Sequence, residues 1–580
     1  MKSFKPLIEY FKQYKWQFIL GLALFVIVDI VQLFIPRVIK YAIDDITLGK
    51  VSPSHLIRYA LWIVGLSGVV ALFRFFWRYY IMGTVRKIEE KLRNRLFSHL
   101  QILELKFYRE HKIGDLMAHF TNDIETISRT LRMGIIIVVD IVMLGILSFV
   151  FMYIISPRLT IYAIIPLPLI SFIVFKFGRI IHHRSERVQE AFSSLTAQAR
   201  ENIDGIRVIK SYNQEGGEIQ KFKQKAQDYV DKNISLLKTR STFQPIIFFL
   251  ASITNGIVLW LGGREAILHH ISMGDFVAFY SYLGMIIWPM VGVGMLVDLI
   301  QRGAASMDRI NVLLNTTPED REQKTEDREQ STEDREQKTW EIEFRNLSFS
   351  YNSTPVLKNI DLILKSGESL GIVGHIGSGK STLVSMLPRL FEPTEGEIKI
   401  DGIALQTIPL STLRKNITLV PQDTFLFSAT IRENIAFGCP DIADSEIHRV
   451  AKMTKIYDEI MKFTNGFNEI VGERGITLSG GQRQRIAIAR AIITKPKIII
   501  LDNALSSIDT EKEVEIIQNL QNEFSHCILI IISHRIRSIM GLNRIIVLKE
   551  GKIVENGTHT ELLSQQNDYF KLFNSQEIEL

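Results

Sequence analysis

Cysteine is almost missing: Cys439 and Cys527 are the two in 580 residues. Neither sits in a metal-ligand spacing and they form no disulfide framework, so both read as buried thiols of a reducing compartment. Large net charge is missing too. A balance of +6 over this length gives no reason to expect a nucleic-acid partner. The first fifteen residues hold no small-residue cleavage pattern, so the first apolar run is expected to stay as a membrane anchor. One core cannot serve a chain this long, and the hydrophobic fraction of 47% averages an apolar first half with a mixed second half.

A helix needs roughly twenty mainly apolar residues to cross a bilayer. Six runs qualify before residue 302: about Trp16–Ile35, Ala60–Met82, Gly134–Ile155, Leu159–Phe177, Phe243–Gly263 and Phe276–Val297. Arg74 and Arg78 interrupt the second, at its cytoplasmic end or against a polar cavity. Cations crowd the N-terminus, the connection between spans two and three, and that between four and five. The positive-inside rule therefore puts the N-terminus, both long connections and everything after span six in the cytoplasm.

The long connections are helical in pattern, as in Ile88–Leu103 and Val188–Lys210, and read as cytoplasmic extensions of the spans, turning at Lys106–Gly114 and near Asn213–Gly217. Gly114–Leu116 with Thr121–Asp123 reads as a turn capped into a new helix or as a solvated loop. Asp29 and Asp140 fall inside spans, where a charge is costly. They either meet a cationic substrate or a proton, or pair with a neighbouring helix. Phe248, Phe249, Tyr280, Tyr282, Met285, Trp288 and Met290 suit a broad apolar cavity as well as plain packing.

After span six come three copies of a seven-residue unit, Pro318–Lys324, Thr325–Ser331 and Thr332–Lys338. No position in the unit is apolar, so there is no seam to bury and the stretch reads as a solvated linker. Past it, Gly374–Thr382 reads G-x-x-x-x-G-K-S-T between the apolar run Leu370–Val373 and a helical Thr382–Leu390. Gly374, Gly377 and Gly379 let backbone N–H groups close around phosphates, with Ser378 between them and the helix start at Thr382 behind them. Lys380 reaches the terminal phosphates and Ser381 offers an oxygen to Mg²⁺. Strands are expected over Glu341–Phe344, Ile360–Leu364 and Glu397–Ile400, and Lys497–Asp502 is a buried strand that delivers Asp502 to the water shell of Mg²⁺.

Leu478–Gln482 places Ser479, Gly480 and Gly481 at the start of a helical Arg483–Ala491, a second anion-binding surface about a hundred residues from the first. Two such surfaces for one nucleotide imply that two chains share each ATP. With Gln482 closing it, this run resembles the signature of ATP-binding cassette proteins, and with six spans in front the whole chain resembles an exporter half-transporter. The resemblance implies a multidomain fold: an all-α six-helix transmembrane domain over residues 1–315, a polar linker over 316–339, and over 340–580 an α/β P-loop ATPase domain with an antiparallel β subdomain and a helical signature subdomain. It further implies ATP stacked on Tyr351, Gln422 sensing Mg²⁺ and the attacking water, Asp509 in a loop that crosses the dimer, and His534 at the γ-phosphate. Coupling helices are implied within Lys106–Ile124 and Ile203–Glu215, with Val471–Gly475 touching them.

Asn503 departs from the family pattern. Members that hydrolyse ATP efficiently carry Glu after the Mg²⁺ aspartate, and an amide cannot accept the proton of the attacking water. The chain is therefore expected to bind ATP on its own loop and cleave it slowly, while its intact signature completes a partner's pocket. That division predicts a heterodimer with a second half-transporter carrying the Glu, set in the bilayer of the cytoplasmic membrane and expelling a small amphipathic substrate. A lipid or lipid-linked glycan flippase and a regulatory ATP sensor are the alternatives.

Overall fold

The computed structural model describes residues 2–49, 52–319, 340–351, 354–472, 475 and 477–578. Most of the expected repeat linker, and Glu473 and Arg474 of the segment before the signature, lie outside the described residues. The chain divides into two compact units, Met1–Ile102 with His111–Thr317 and Leu103–Glu110 with Pro318–Leu580.

The first unit is helical throughout. Among the described residues five helical stretches are long and apolar enough to cross a bilayer: Lys15–Thr47, Pro53–Leu100, Ile113–Ile155, Glu215–Ile267 and Met273–Leu314. At 1.5 Å per residue, the 48 residues of Pro53–Leu100 span about 72 Å, more than twice the hydrocarbon core. The excess is the charged stretch read as an extension. The fourth expected span is not one helix: the chain turns at Ile165–Pro166 between Pro157–Ile164 and Leu167–Asp204. Pro166 and Pro168 have no N–H to donate, so helical hydrogen bonds are lost there although Ile165 and Pro166 keep helical dihedrals.

Two expectations change in this unit. Asp123 caps no helix; it is buried inside a continuous helical run and accepts hydrogen bonds from Arg309 Nε at 3.0 Å and His119 Nδ1 at 2.6 Å. Tyr282 lines no cavity but is packed in the core, its hydroxyl donating to Leu33 O at 2.9 Å. Arg74 and Arg78, by contrast, do line a cavity of about 840 Å³, with Gln32, Ser67 and Met285. Asp29 is buried with one carboxylate oxygen unpartnered, within electrostatic reach of Asp140 and Arg74.

At one end of the first unit, Asp44 Oδ1 accepts from Gly274 N at 2.8 Å and Lys40 pairs with Asp275 at 2.6 Å, which ties the Lys15–Thr47 helix to Met273–Leu314. The approach depends on glycine, since a Cβ at position 274 would lie 2.2 Å from Lys40 O. Gly274→Ala must open this joint, and we expect a loss of about 1–3 kcal/mol, read as a lower thermal midpoint of the full-length protein in detergent.

The second unit is built on two sheets. Strands β1 (Ile342–Tyr351), β2 (Thr354–Leu364), β4 (Glu395–Ile400) and β5 (Ile403–Ala404) form an antiparallel sheet of order β2-β1-β4-β5. The other sheet takes β3 (Ser369–Val373), β6 (Ile417–Val420), β7 (Ile498–Asp502), β8 (Ile528–Ile532), β9 (Arg544–Lys549) and β10 (Lys552–Gly557), in the order β10-β9-β3-β8-β7-β6. All its pairings are parallel except β9 with β10. Its central strands are runs of Ile, Leu and Val because both faces are covered: Ile498 and Ile500 enter one core, Ile499 and Leu501 the other. The order β3-β8-β7 brings three adjacent carboxyl ends to one edge, at Val373, Ile532 and Asp502, where an open parallel sheet binds its ligand.

Candidate functional site

The loop after β3 turns on glycines. Gly374, Gly377 and Gly379 have φ of 147°, 82° and 98°, values that side chains resist, and a Cβ on Gly374 would lie 2.1 Å from Leu548 O. The loop runs into a helix that covers only Lys380–Ser385, shorter than the expected Thr382–Leu390. Pro388 disfavours helix at Leu387, and Arg389 at φ 52° turns the chain away.

Lys380 folds back over the loop, its Nζ donating to Gly374 O at 2.8 Å and His375 O at 2.9 Å. Burial pushes its ammonium below the usual lysine range, opposed by Asp502. Two weak carbonyl acceptors are what a phosphate would displace. Burial pushes Asp502 up, against a hydrogen bond from Ser381 and the charges of Lys380 and His534. Its Oδ1 has no hydrogen-bond partner, and an orphaned buried carboxylate oxygen beside the Ser381 hydroxyl is a donor set that fits Mg²⁺ and its water shell. Burial and Lys380 hold His534 below the ordinary histidine value, opposed by Asp502.

These groups share one cavity of about 370 Å³, lined among others by Tyr351, Gly377, Gly379, Lys380, Ser381, Thr382, Gln422, Asp502, Asn503 and His534. Gly374 and Ser378 shape the loop behind it. Tyr351 is braced edge-on by Phe349 at 4.7 Å and Phe391 at 5.5 Å, with its hydroxyl 3.4 Å from Thr382 Oγ1. The guanidinium of Arg109, in the short Leu105–Glu110 helix of the same unit, lies 4.5 Å from the ring centroid. Asn503 sits at φ 49°, a left-handed conformation that Asn tolerates, and its N–H donates to Ile532 O at 2.9 Å. Among the described residues lining the cavity the one acid is Asp502, and the Asn503 amide beside it is no proton acceptor.

Ser479, Gly480, Gly481, Gln482 and Asp509 do not line this cavity. Ser479 caps the Gly480–Ile492 helix, its Oγ accepting from Gln482 N at 3.2 Å while Gln482 Oε1 accepts from Ser479 N at 2.9 Å. The Asp509 side chain is 85% exposed and lies 3.9 Å from the Lys512 ammonium. Sequence reasoning missed Val356, Ile376 and Ile532, apolar cavity residues with no polar pattern to mark them. It also missed Glu459, which accepts from Gln482 Nε2 at 3.1 Å and from both terminal nitrogens of Arg485 at 2.8 Å. No spacing links Glu459 to the signature.

Burial alone would raise the Glu459 carboxyl, but Arg485, Gln482 and Lys512 override it and pull the value down to about 2. A depressed folded value gives stability that is present above the ordinary value of 4.5 and lost as pH falls towards 2. With allowance for partial exposure the network contributes about 2 kcal/mol. Glu459→Gln is expected to lower the unfolding midpoint at neutral pH, and the two proteins should converge in thermal scans as the pH drops through that window.

Comparison with known proteins agrees with this layout. A family model for the ABC transporter transmembrane region matches residues 18–290, and one described as ABC transporter matches residues 357–506. The probable multidrug resistance ABC transporter ATP-binding/permease protein YheI of Bacillus subtilis is 35% identical over 99% of this chain and 97% of its own length. The multidrug resistance-like ATP-binding protein MdlA of Escherichia coli is 32% identical over 100% of this chain and 97% of its own. An ATP-dependent lipid A-core flippase of Syntrophus aciditrophicus is 32% identical over 99% and 94%. In fold, the chain resembles a bacterial Atm1-family ABC exporter solved with ATP bound, at a TM-score of 0.79 and 24% identity, covering 98% of this chain and 99% of that one. A helical membrane region fused to a phosphate-loop ATPase, matched end to end by such relatives, makes the chain an ATPase-coupled, multi-pass exporter half-transporter of the ABC transporter family.

Proposed function

We propose that this chain is the slowly hydrolysing half of a two-chain exporter that expels small amphipathic solutes across the cytoplasmic membrane. ATP with Mg²⁺ binds on Gly374–Thr382, Tyr351, Gln422 and Asp502 and is retained, because Asn503 stands where a proton acceptor is needed. Ser479–Gln482 and Asp509 complete the pocket of a second half-transporter that carries the Glu, and turnover there resets the cycle. The observation that carries this assignment is Asn503 lining an otherwise equipped cavity, in a chain whose signature helix is fully capped. A symmetric pair would have no base in either pocket.

The remaining features fit that scheme. We read six spans over residues 1–315, the fourth made of Pro157–Ile164 and Leu167–Asp204, and the cations of the N-terminus and the two long connections support a cytoplasmic N-terminus and a cytoplasmic ATPase domain over residues 340–580. Ile206–Ser211 presents exposed Ile206 and Val208, with Tyr212 just beyond it. Phe425, Phe427 and Phe437 form an exposed aromatic patch beside Gln422 that suits such a helix from the partner. The names of the relatives support drug-like cargo, while Arg74 and Arg78 in the membrane-domain cavity favour the flippase alternative, an anionic head group. Tagging the chain in its native host and identifying what co-purifies tests the assembly; ATPase stimulation in proteoliposomes by cationic amphiphiles against acidic lipids separates the cargo classes. Recovery of this chain alone, active in transport, overturns the proposal.

A further inference from the structure

The loop Ser506–Asp509 follows Asn503 closely and lies between two segments that serve different pockets. On one side is the helix that begins at the signature. Gln484 Nε2 donates to Ser506 Oγ at 3.1 Å and its Oε1 accepts from Ser507 N at 2.9 Å. The contact leaves no room: a Cβ on Gly481 would lie 2.7 Å from Ser507 O, and one on Gly480 3.2 Å from the Ser507 side chain. On the other side is the turn after β8 that carries His534. Arg535, its neighbour, donates from one terminal nitrogen to Ile508 O at 2.7 Å and to Glu513 at 3.1 Å, and from the other to Ser506 O at 3.0 Å.

The Arg535 backbone is held as well. Its N–H donates to Ser533 Oγ at 3.0 Å, and Gln576 bridges the same turn by accepting from Ile536 N at 2.9 Å and donating to His534 O. Glu513, 1% exposed, orients the guanidinium from below. A planar fork that reaches two carbonyls and a carboxylate at once is specific to arginine; an ammonium is one point. The His534 turn, the loop and the signature helix are therefore one mechanically continuous piece. These bonds supply an unbroken route from the His534 turn through Arg535 and the loop to Gln484 and the signature.

We infer that Arg535 is a positioning residue through which occupancy of this chain's own nucleotide pocket sets the loop and signature surface offered to the partner. The inference rests on the proposal that this surface completes the partner's pocket. It gives the retained ATP a purpose: bound and uncut, it keeps the neighbour's site in register.

The test uses the assembly purified from native-host membranes through a tag on this chain. Arg535→Ala is expected to lower kcat for ATP about tenfold, with KM and fluorescent-ATP binding changed by no more than about twofold. Arg535→Lys, which keeps a charge beside Glu513, is expected to restore the thermal midpoint without restoring kcat. Gln484→Ala is expected to lower kcat in the same manner, and the double variant Gln484→Ala with Arg535→Ala to fall no further than about twofold below the lower single variant, because both act through one loop. If the single effects multiply, if Arg535→Ala raises KM with kcat intact, or if Arg535→Lys restores kcat, the inference is overturned. Failure of the asymmetric-assembly proposal is seen separately, in the subunit composition of the purified sample, and the double-variant comparison reads the same way in a symmetric pair.

Discussion

Asn503→Glu is expected to raise ATP cleavage at this chain's own site by about a hundredfold or more, the scale on which a positioned proton acceptor acts. The cavity is otherwise complete: Lys380, Ser381, Gln422, Asp502 and His534 line it together with Asn503, and the longer carboxylate would supply the missing acceptor. The left-handed backbone at φ 49° suits Asn better than Glu, so the gain comes with a cost of about 1 kcal/mol in stability. Single-turnover measurement on the assembly purified through a tag on this chain, where a second signature completes the pocket, reads the effect as cleavage per ATP bound against the unsubstituted assembly. An unchanged rate in the Glu variant would mean that the missing acceptor does not limit the chemistry.

Gly481→Asp is expected to act in the opposite direction and on the other site. The side chain has nowhere to go, with the Ser507 carbonyl 2.7 Å from the first added carbon, and a carboxylate would stand where the partner's γ-phosphate is to be received. Turnover by the two-chain assembly should fall by about 10³-fold, the upper range for losing an electrostatic anchor of the reacting group. Binding of ATP to this chain's own loop should persist, because Gly481 lies outside the Lys380 cavity. Steady-state hydrolysis and fluorescent-ATP titration on the same preparation separate the two effects.

Much of this site was readable before any coordinates because its chemistry is local in the chain. A phosphate loop has to be written within nine residues, a metal aspartate at the end of one apolar strand, and a signature within five. Those runs place Lys380, Ser381, Asp502 and Ser479 where they are found, and the short helix after the loop was misjudged only in length, at Pro388. The contacts that join the motifs were not readable. Glu459 reaches Gln482 from 23 residues upstream, and Arg535, in the turn after the neighbouring strand, holds the carbonyl oxygens of Ser506 and Ile508. Backbone acceptors leave no trace in residue type.

In the membrane half the limit was different. Hydropathy locates the long apolar stretches but does not register where prolines interrupt the helical hydrogen bonds, as at Ile165–Pro166 inside the run Leu159–Phe177. Nor does it distinguish facing from packing: Tyr282 and Met285 looked alike, yet one is sealed in the core and the other lines the cavity with Arg74.

The division between holding and cutting ATP is tested most directly by loading the purified chain, without any second subunit, with radiolabelled ATP and Mg²⁺ and following what stays bound. The account predicts that the nucleotide is recovered as intact ATP over many minutes. Rapid conversion to ADP by this chain alone would contradict it.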